Sequence, residues 1–129
     1  MALPPVDDAD ERLVDLVGSW MTLPDTAARF SVDVSRVRRS IADGELLALR
    51  VAGVVHVPEL FLGEPGGGPL AVADLKGTLT VLSDAGFRPA EAVSWLFTPD
   101  DSLREGRPID TLRAGRKTEV RRRAQAMAL

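Results

Sequence analysis

Leu13, Leu16, Val17 and Trp20 recur at the i, i+3, i+4, i+7 spacing of one helical face, with Gly18 set inside it. This predicts a first helix from about Ala9. Pro24 suits the opening turn of a second helix, where its missing N–H costs nothing. Ala27, Ala28 and Phe30 continue that helix with small residues inside, and Ser31-Val32-Asp33 interrupts it. Val37 and Ile41, four apart, mark the inward side of a third helix. Ser35 is its expected N-cap, and Gly44 its expected left-handed stop. The period then changes. Leu46, Leu47, Leu49 and Val51, then Val54, Val55 and Val57, flank Ala52-Gly53 and read as a β-hairpin closed by Pro58.

GEPGGGP, residues 63–69, has the composition of a linker or loop. Helical spacing resumes beyond it. Leu75, Leu79 and Leu82 share a face that ends before Gly86. Pro89 opens a segment carrying Val93, Trp95, Leu96 and Phe97, too many consecutive large residues for one narrow stripe. IDTLRAG predicts a short helix stopped by Gly115, and Val120, Ala124 and Met127 an inward stripe on the last one. The expected fold is mainly α with a small β-hairpin wing: a winged helix-turn-helix followed by a C-terminal helical bundle. Residues 1–18 form an acidic tail and short helix, with residues 1–8 expected to be mobile. Residues 19–62 form the winged head, 63–69 the linker and 70–129 the helical region.

Charge sharpens this picture. The net charge is −3, yet residues 1–20 hold five acids against one base, residues 21–62 are balanced, and residues 63–129 carry one excess base. Local basic faces can therefore exist on an acidic chain. The densest early cluster is Arg36, Arg38 and Arg39, on the third predicted helix. With Val37 as origin and 100° per residue, Ser35, Arg39 and Arg36 lie at about 160°, 200° and 260°, opposite the inward side chains. Arg38, at about 100°, lies on the flank. In a helix-turn-helix the outward face of the second helix enters the major groove of double-stranded DNA. A guanidinium fork there can donate two hydrogen bonds to guanine O6 and N7. The candidate DNA-binding residues are thus Ser35, Arg36, Arg39, the flanking Arg38, and Arg50 on the wing. The plain alternative is a solvated helix face with Arg39 and Asp43 paired at i, i+4.

LPDTAARFSVDVSRVRRSIADGELLALRVAGVVHVPELF resembles the winged helix-turn-helix of a small actinobacterial family of DNA-binding regulators. WLFTPDDSLREGRPIDTLRAGRKTEVRRRAQAMA resembles that family's C-terminal helical region. The resemblance implies a cytoplasmic, sequence-specific DNA-binding protein without enzymatic activity, its contacts mapping onto Ser35, Arg36, Arg39 and Arg50. The C-terminal segment is also similar to the toxin-binding domain of some antitoxins. That similarity leaves open a protein partner on the C-terminal helices. A homodimer, which would let two heads read two half-sites, stays open as well.

Other chemistry is poorly supported. No cysteine is present, so disulfides and thiolate metal sites are excluded. His56 is the single histidine, too few ligands for a zinc site. No base-and-orienter pair accompanies any serine or threonine. GEPGGGP lacks the G-K-[ST] of a phosphate-cradling loop. Asp100-Asp101 is expected to cap or turn the chain. Arg121, Arg122 and Arg123, with Arg116 and Lys117 upstream, read first as the wet face of the last helix and second as a phosphate-contacting patch. No cofactor or metal is expected. MALPPVDDADERL is acidic and unlike a signal peptide, and no run of about 18 apolar residues suggests a membrane span.

Overall fold

The computed structural model describes residues 6–127. Helix α1 (Glu11–Val17) starts where Asp10 Oδ1 accepts the Leu13 N–H at 2.8 Å, and it buries Leu13 and Val17. It is shorter than its apolar spacing predicts. Gly18, at φ +81°, turns the chain out of the helix, and Trp20 opens strand β1 (Trp20–Thr22). Trp20 still reaches back to α1, its indole N–H donating to the Val14 carbonyl at 3.2 Å. Three residues are too few to show strand alternation, so nothing local announces β1.

Thr22 Oγ1 accepts the Asp25 N–H and opens α2 (Leu23–Phe30), with Pro24 in its first turn. Ser31, left-handed at φ +55°, ends α2. Helix α3 (Val34–Ala42) follows after the three-residue link of Ser31, Val32 and Asp33. Its N-cap is Asp33, not Ser35, and Ser35 lies inside the first turn. The helix begins two residues earlier because Val34, half-buried against the core, is drawn into it. Gly44 closes α3 as expected, at φ +79° with its N–H on the Ile41 carbonyl. Helices α2 and α3 pack directly on each other, with Thr26 and Ala27 buried on one side and Val37, Ser40 and Ile41 on the other. Ala28 is exposed, so Ala27 alone among the two alanines allows the close approach. Buried Thr26 satisfies its hydroxyl on the Thr22 carbonyl at 2.8 Å.

Strands β2 (Leu49–Val51) and β3 (Val54–Pro58) form the hairpin, and β1 pairs with the free edge of β3 to give the antiparallel order β1-β3-β2. A 3-10 turn (Glu59–Phe61) follows. The glycine-rich segment is a loop with a closed base: Leu62 bridges Ala71, and the Gly63 N–H donates to the Leu70 carbonyl at 2.8 Å.

Helices α4 (Leu75–Asp84), α5 (Pro89–Phe97), α6 (Pro108–Arg113) and α7 (Lys117–Ala126) make up the C-terminal region. Leu96 and Phe97 are fully buried while Trp95 is half-buried, so this segment is enclosed on more than one side. Met127 departs from expectation. Helix α7 ends at Ala126 and Met127 is 55 % exposed, leaving Val120 and Ala124 as its buried residues.

One hydrophobic core runs from Leu13 to Ala124 through both regions. Helix α1 packs on α5. The Phe61 and Phe97 rings lie 5.7 Å apart, and the Arg107 guanidinium sits 5.6 Å above the Phe97 ring. Arg113 donates to the carbonyls of Leu60 and Leu62 at 2.8 and 3.0 Å. Residues 1–5, part of the tail expected to be mobile, lie outside the described residues, whereas Asp7 and Asp8 are held in place. The Arg50 N–H donates to the Asp7 carbonyl and the Ala9 N–H to the Arg50 carbonyl, both at 2.8 Å. Asp7 Oδ2 also accepts the Ala90 N–H in the first turn of α5. The reason is local: acids that read as a solvated run find the open end of a helix and an arginine.

Phe61→Ala should cost about 3–5 kcal/mol and lower the stability of both regions together. Coincident denaturation curves from Trp20 and Trp95 fluorescence, each in a single-tryptophan background, check this; separate midpoints would show the core to be divided.

Candidate nucleic-acid interface

Burial sets the rotation of α3. Val37 is 0 %, Ser40 2 % and Ile41 7 % exposed. Because Ser40 is buried with the two aliphatic residues, the inward stripe turns away from the one expected from Val37 and Ile41 alone. Ser35, Arg38 and Arg39 consequently lie on the open face, and Arg36 is half-buried on the flank. Arg36 and Arg38 thus exchange the places the helical wheel gave them. The misleading residue is Ser40, whose small size admits it to the interior despite its hydroxyl.

Among the described residues, Arg36, Arg38 and Arg39 have no carboxylate within ion-pair distance. The Arg39–Asp43 pair does not form. No side chain caps α3. Ser31, Asp33, Ser35, Arg36 and Arg39 surround an open polar depression at the start of the helix. Its positive character comes from two guanidinium groups and the helix N-terminus, and Asp33 at the rim opposes part of it.

Arg50 behaves differently. Its Nη1 lies 3.4 Å from both the Val6 carbonyl oxygen and Asp8 Oδ1. The wing turn itself, Val51 to Val54, carries no cation. Arg50 therefore faces the N-terminal segment, and the partner responsible is 42 residues away in sequence. Strand spacing placed Arg50 on the wing but could not show what lies beside it.

The C-terminal arginines are largely compensated. Arg116 pairs with Glu105, Lys117 and Arg121 with Asp74, and Arg123 with Asp100. Gly77 gives Arg121 its room, since a Cβ there would stand 2.1 Å from Nη2. Arg122 is exposed and has no ion pair among the described residues. His56 Nδ1 lies 2.8 Å from the Val54 carbonyl oxygen, and no group of three potential metal ligands occurs among the described residues. Asp100 turns the chain as expected: Oδ1 accepts from the Ser102 hydroxyl at 2.6 Å and the Ser102 N–H at 2.9 Å. These bonds, the hydroxyl's first, hold its carboxyl below the ordinary 3.8, aided by the Arg123 charge. No helix among the described residues is long and apolar enough to cross a membrane.

Two regions of the chain match described families. Residues 2–62 match the winged helix-turn-helix domain of the DNA-binding protein Rv2175c, and residues 72–128 match the Rv2175c C-terminal domain of unknown function. The chain belongs to the Rv2175c family. It is 42 % identical over 132 residues to the DNA-binding protein Rv2175c of Mycobacterium tuberculosis (strain ATCC 25618 / H37Rv), covering 94 % of this chain and 84 % of the relative. It also superimposes on the NMR structure of Rv2175c with a TM-score of 0.77 at 38 % identity, covering 100 % of this chain and 91 % of that one. The winged head of this family member holds α1 to β3, and the matched C-terminal region holds α4 to α7.

Asp100 gives the C-terminal region of this chain an acid-sensitive turn. Its depressed carboxyl contributes stability that is present above pH 4, roughly, and is lost as pH falls through its lower folded value. Ser102→Ala, which removes the strongest of the two bonds, should make the fall in Tm below that pH shallower. Thermal unfolding of both proteins across the acid range measures it; parallel curves would show that the Ser102 hydroxyl does not control the carboxyl.

Proposed function

We propose that this chain is a sequence-specific, double-stranded-DNA-binding regulator that acts in the cytoplasm without catalysis, inserting α3 into the major groove. The single observation that carries the reading is the set of arginines on α3 without acidic partners among the described residues, in a protein whose other cation cluster, at the C-terminal end, is paired at four of its five positions. Desolvated contact with phosphates or guanine rewards a guanidinium that has no carboxylate to surrender. The name of the 42 % identical relative, a DNA-binding protein, supports the same class of ligand.

Arg38 and Arg39, on the open face, are the base-reading candidates. Ser35 and Arg36 stand beside the uncapped start of α3, where backbone N–H groups and a guanidinium together suit a phosphate. Arg50 reaches the backbone from the wing only by exchanging Asp8 for a phosphate. A protein-docking role for the C-terminal helices finds less support. The exposed large hydrophobic residues among those described are Val54, on the hairpin, and Met127, just past α7, so only one of them lies in the C-terminal region.

The test begins with duplexes selected from a random pool, followed by fluorescence anisotropy at two salt concentrations. Arg39→Ala should cost about 1–3 kcal/mol and relax preference at one base pair. Arg36→Ala should weaken all duplexes evenly and reduce the salt slope by about one. Arg50→Ala should act in the same even manner but more weakly, because Asp8 already competes for its charge. Arg122→Ala, on the opposite region, should change nothing. Wild-type affinity in the Arg38→Ala and Arg39→Ala proteins alike would remove α3 from the groove.

A further inference from the structure

A cavity of about 440 Å³ lies at the seam between the winged head and the C-terminal helices. Ile41, from the last turn of α3, Gly44 just beyond it and Leu46 form one wall; Leu79 of α4, Phe87 of the following turn and Ala92 of α5 form the other. Its size falls within the usual range for small-molecule sites, about 300–1,000 Å³, and its walls are mainly apolar, as such sites are.

Its one charged side chain is negative. Thr80, Ser83 and Asp84 lie together on α4, and none of the lining residues is Lys, Arg or His. The Thr80 hydroxyl already donates to the Lys76 carbonyl, which leaves its lone pairs as acceptors. Asp84 has no ion-pair partner among the described residues. Asp84 is also the last residue of α4, so the negative end of the helix dipole adds to its charge. An anion entering this space would meet the Asp84 carboxylate, with no cationic side chain and only the Ser83 hydroxyl as a side-chain donor to offset it. A neutral apolar body would leave the carboxylate unused.

We infer that this cavity is a binding site for a small amphipathic cation: an apolar body of about six to ten carbons seated against Leu46, Leu79 and Phe87, with one ammonium group at Asp84. Ile41 and Gly44 belong to α3 or its stop, so occupancy contacts the same helix that carries Arg38 and Arg39. Ligand and duplex are then coupled, each changing the other's affinity by the same factor. That coupling, unlike the site itself, rests on the reading of α3 given above.

The site is tested without DNA. The isotope-labelled full chain is titrated with n-hexylammonium chloride, with sodium hexanoate and with 1-hexanol at constant ionic strength. Amide NMR shifts are followed at Gly44, Thr80 and Ala92. Hexylammonium should saturate them with a Kd of about a millimolar. Hexanol should bind more weakly, and hexanoate should leave them unmoved. Asp84→Asn should bring hexylammonium down to the level of hexanol. Ser83→Trp, an exposed change at the rim, should block both. No saturable shift with hexylammonium, equal binding of hexanoate, or undiminished hexylammonium affinity in Asp84→Asn would overturn the site. For the coupling, duplex affinity is compared with and without saturating hexylammonium. A change of about threefold or more that disappears in Ser83→Trp supports it, and no change overturns it. Failure to bind any duplex either with or without the amine would instead overturn the reading of α3, while the NMR result would stand by itself.

Discussion

The packing of α3 on α2, which leaves Val37, Ser40 and Ile41 buried, is the contact on which the functional face depends. A helix can rotate about its axis until its apolar stripe finds a partner, and this stripe leaves one orientation. Once it is fixed, Ser35, Arg38 and Arg39 have nowhere to point but outward. The small residues matter as much as the large ones. Ala27 permits the close approach of the two helices, and Ser40 adds a position that turns the whole outer face. The three-residue link of Ser31, Val32 and Asp33 is possible because Ser31 adopts the left-handed conformation.

The head does not stand alone. Its first helix packs on α5, its Phe61 ring meets Phe97, and Arg113 occupies the carbonyls of Leu60 and Leu62. The C-terminal helices thus supply part of the interior that a small winged unit lacks, in keeping with the difficulty of building a sufficient core from about 60 residues. Asp7 adds a polar tie, joining the edge of the wing to the start of α5. A seam with this many contacts from both sides can carry a displacement from one region to the other, because packed interiors do not deform smoothly.

Electrostatics divide the surface into compensated and uncompensated parts. The C-terminal arginines look like the stronger basic cluster when residues are counted along the chain, but Asp74, Asp100 and Glu105 neutralise most of it. The smaller cluster on α3 keeps its charge. Net charge is a poor guide here: a chain at −3 can hold a basic face if its acids are used elsewhere.

Periodicity and capping residues alone were enough to define most helices, the hairpin and the Gly44 stop, because those signals act within a few residues. They also located the arginine cluster that forms the candidate interface. The ends of α1, the strand β1 and the inward turn of Ser40 depended on tertiary partners: Trp20 joins a sheet edge that only a folded hairpin provides, and Ser40 is buried only because α2 lies above it. The same holds for Arg50 and Asp8, and for Arg121 and Asp74, whose pairings span more than 40 residues. Local sequence determines what a segment prefers; which charge is left free is decided only when distant segments have been brought together.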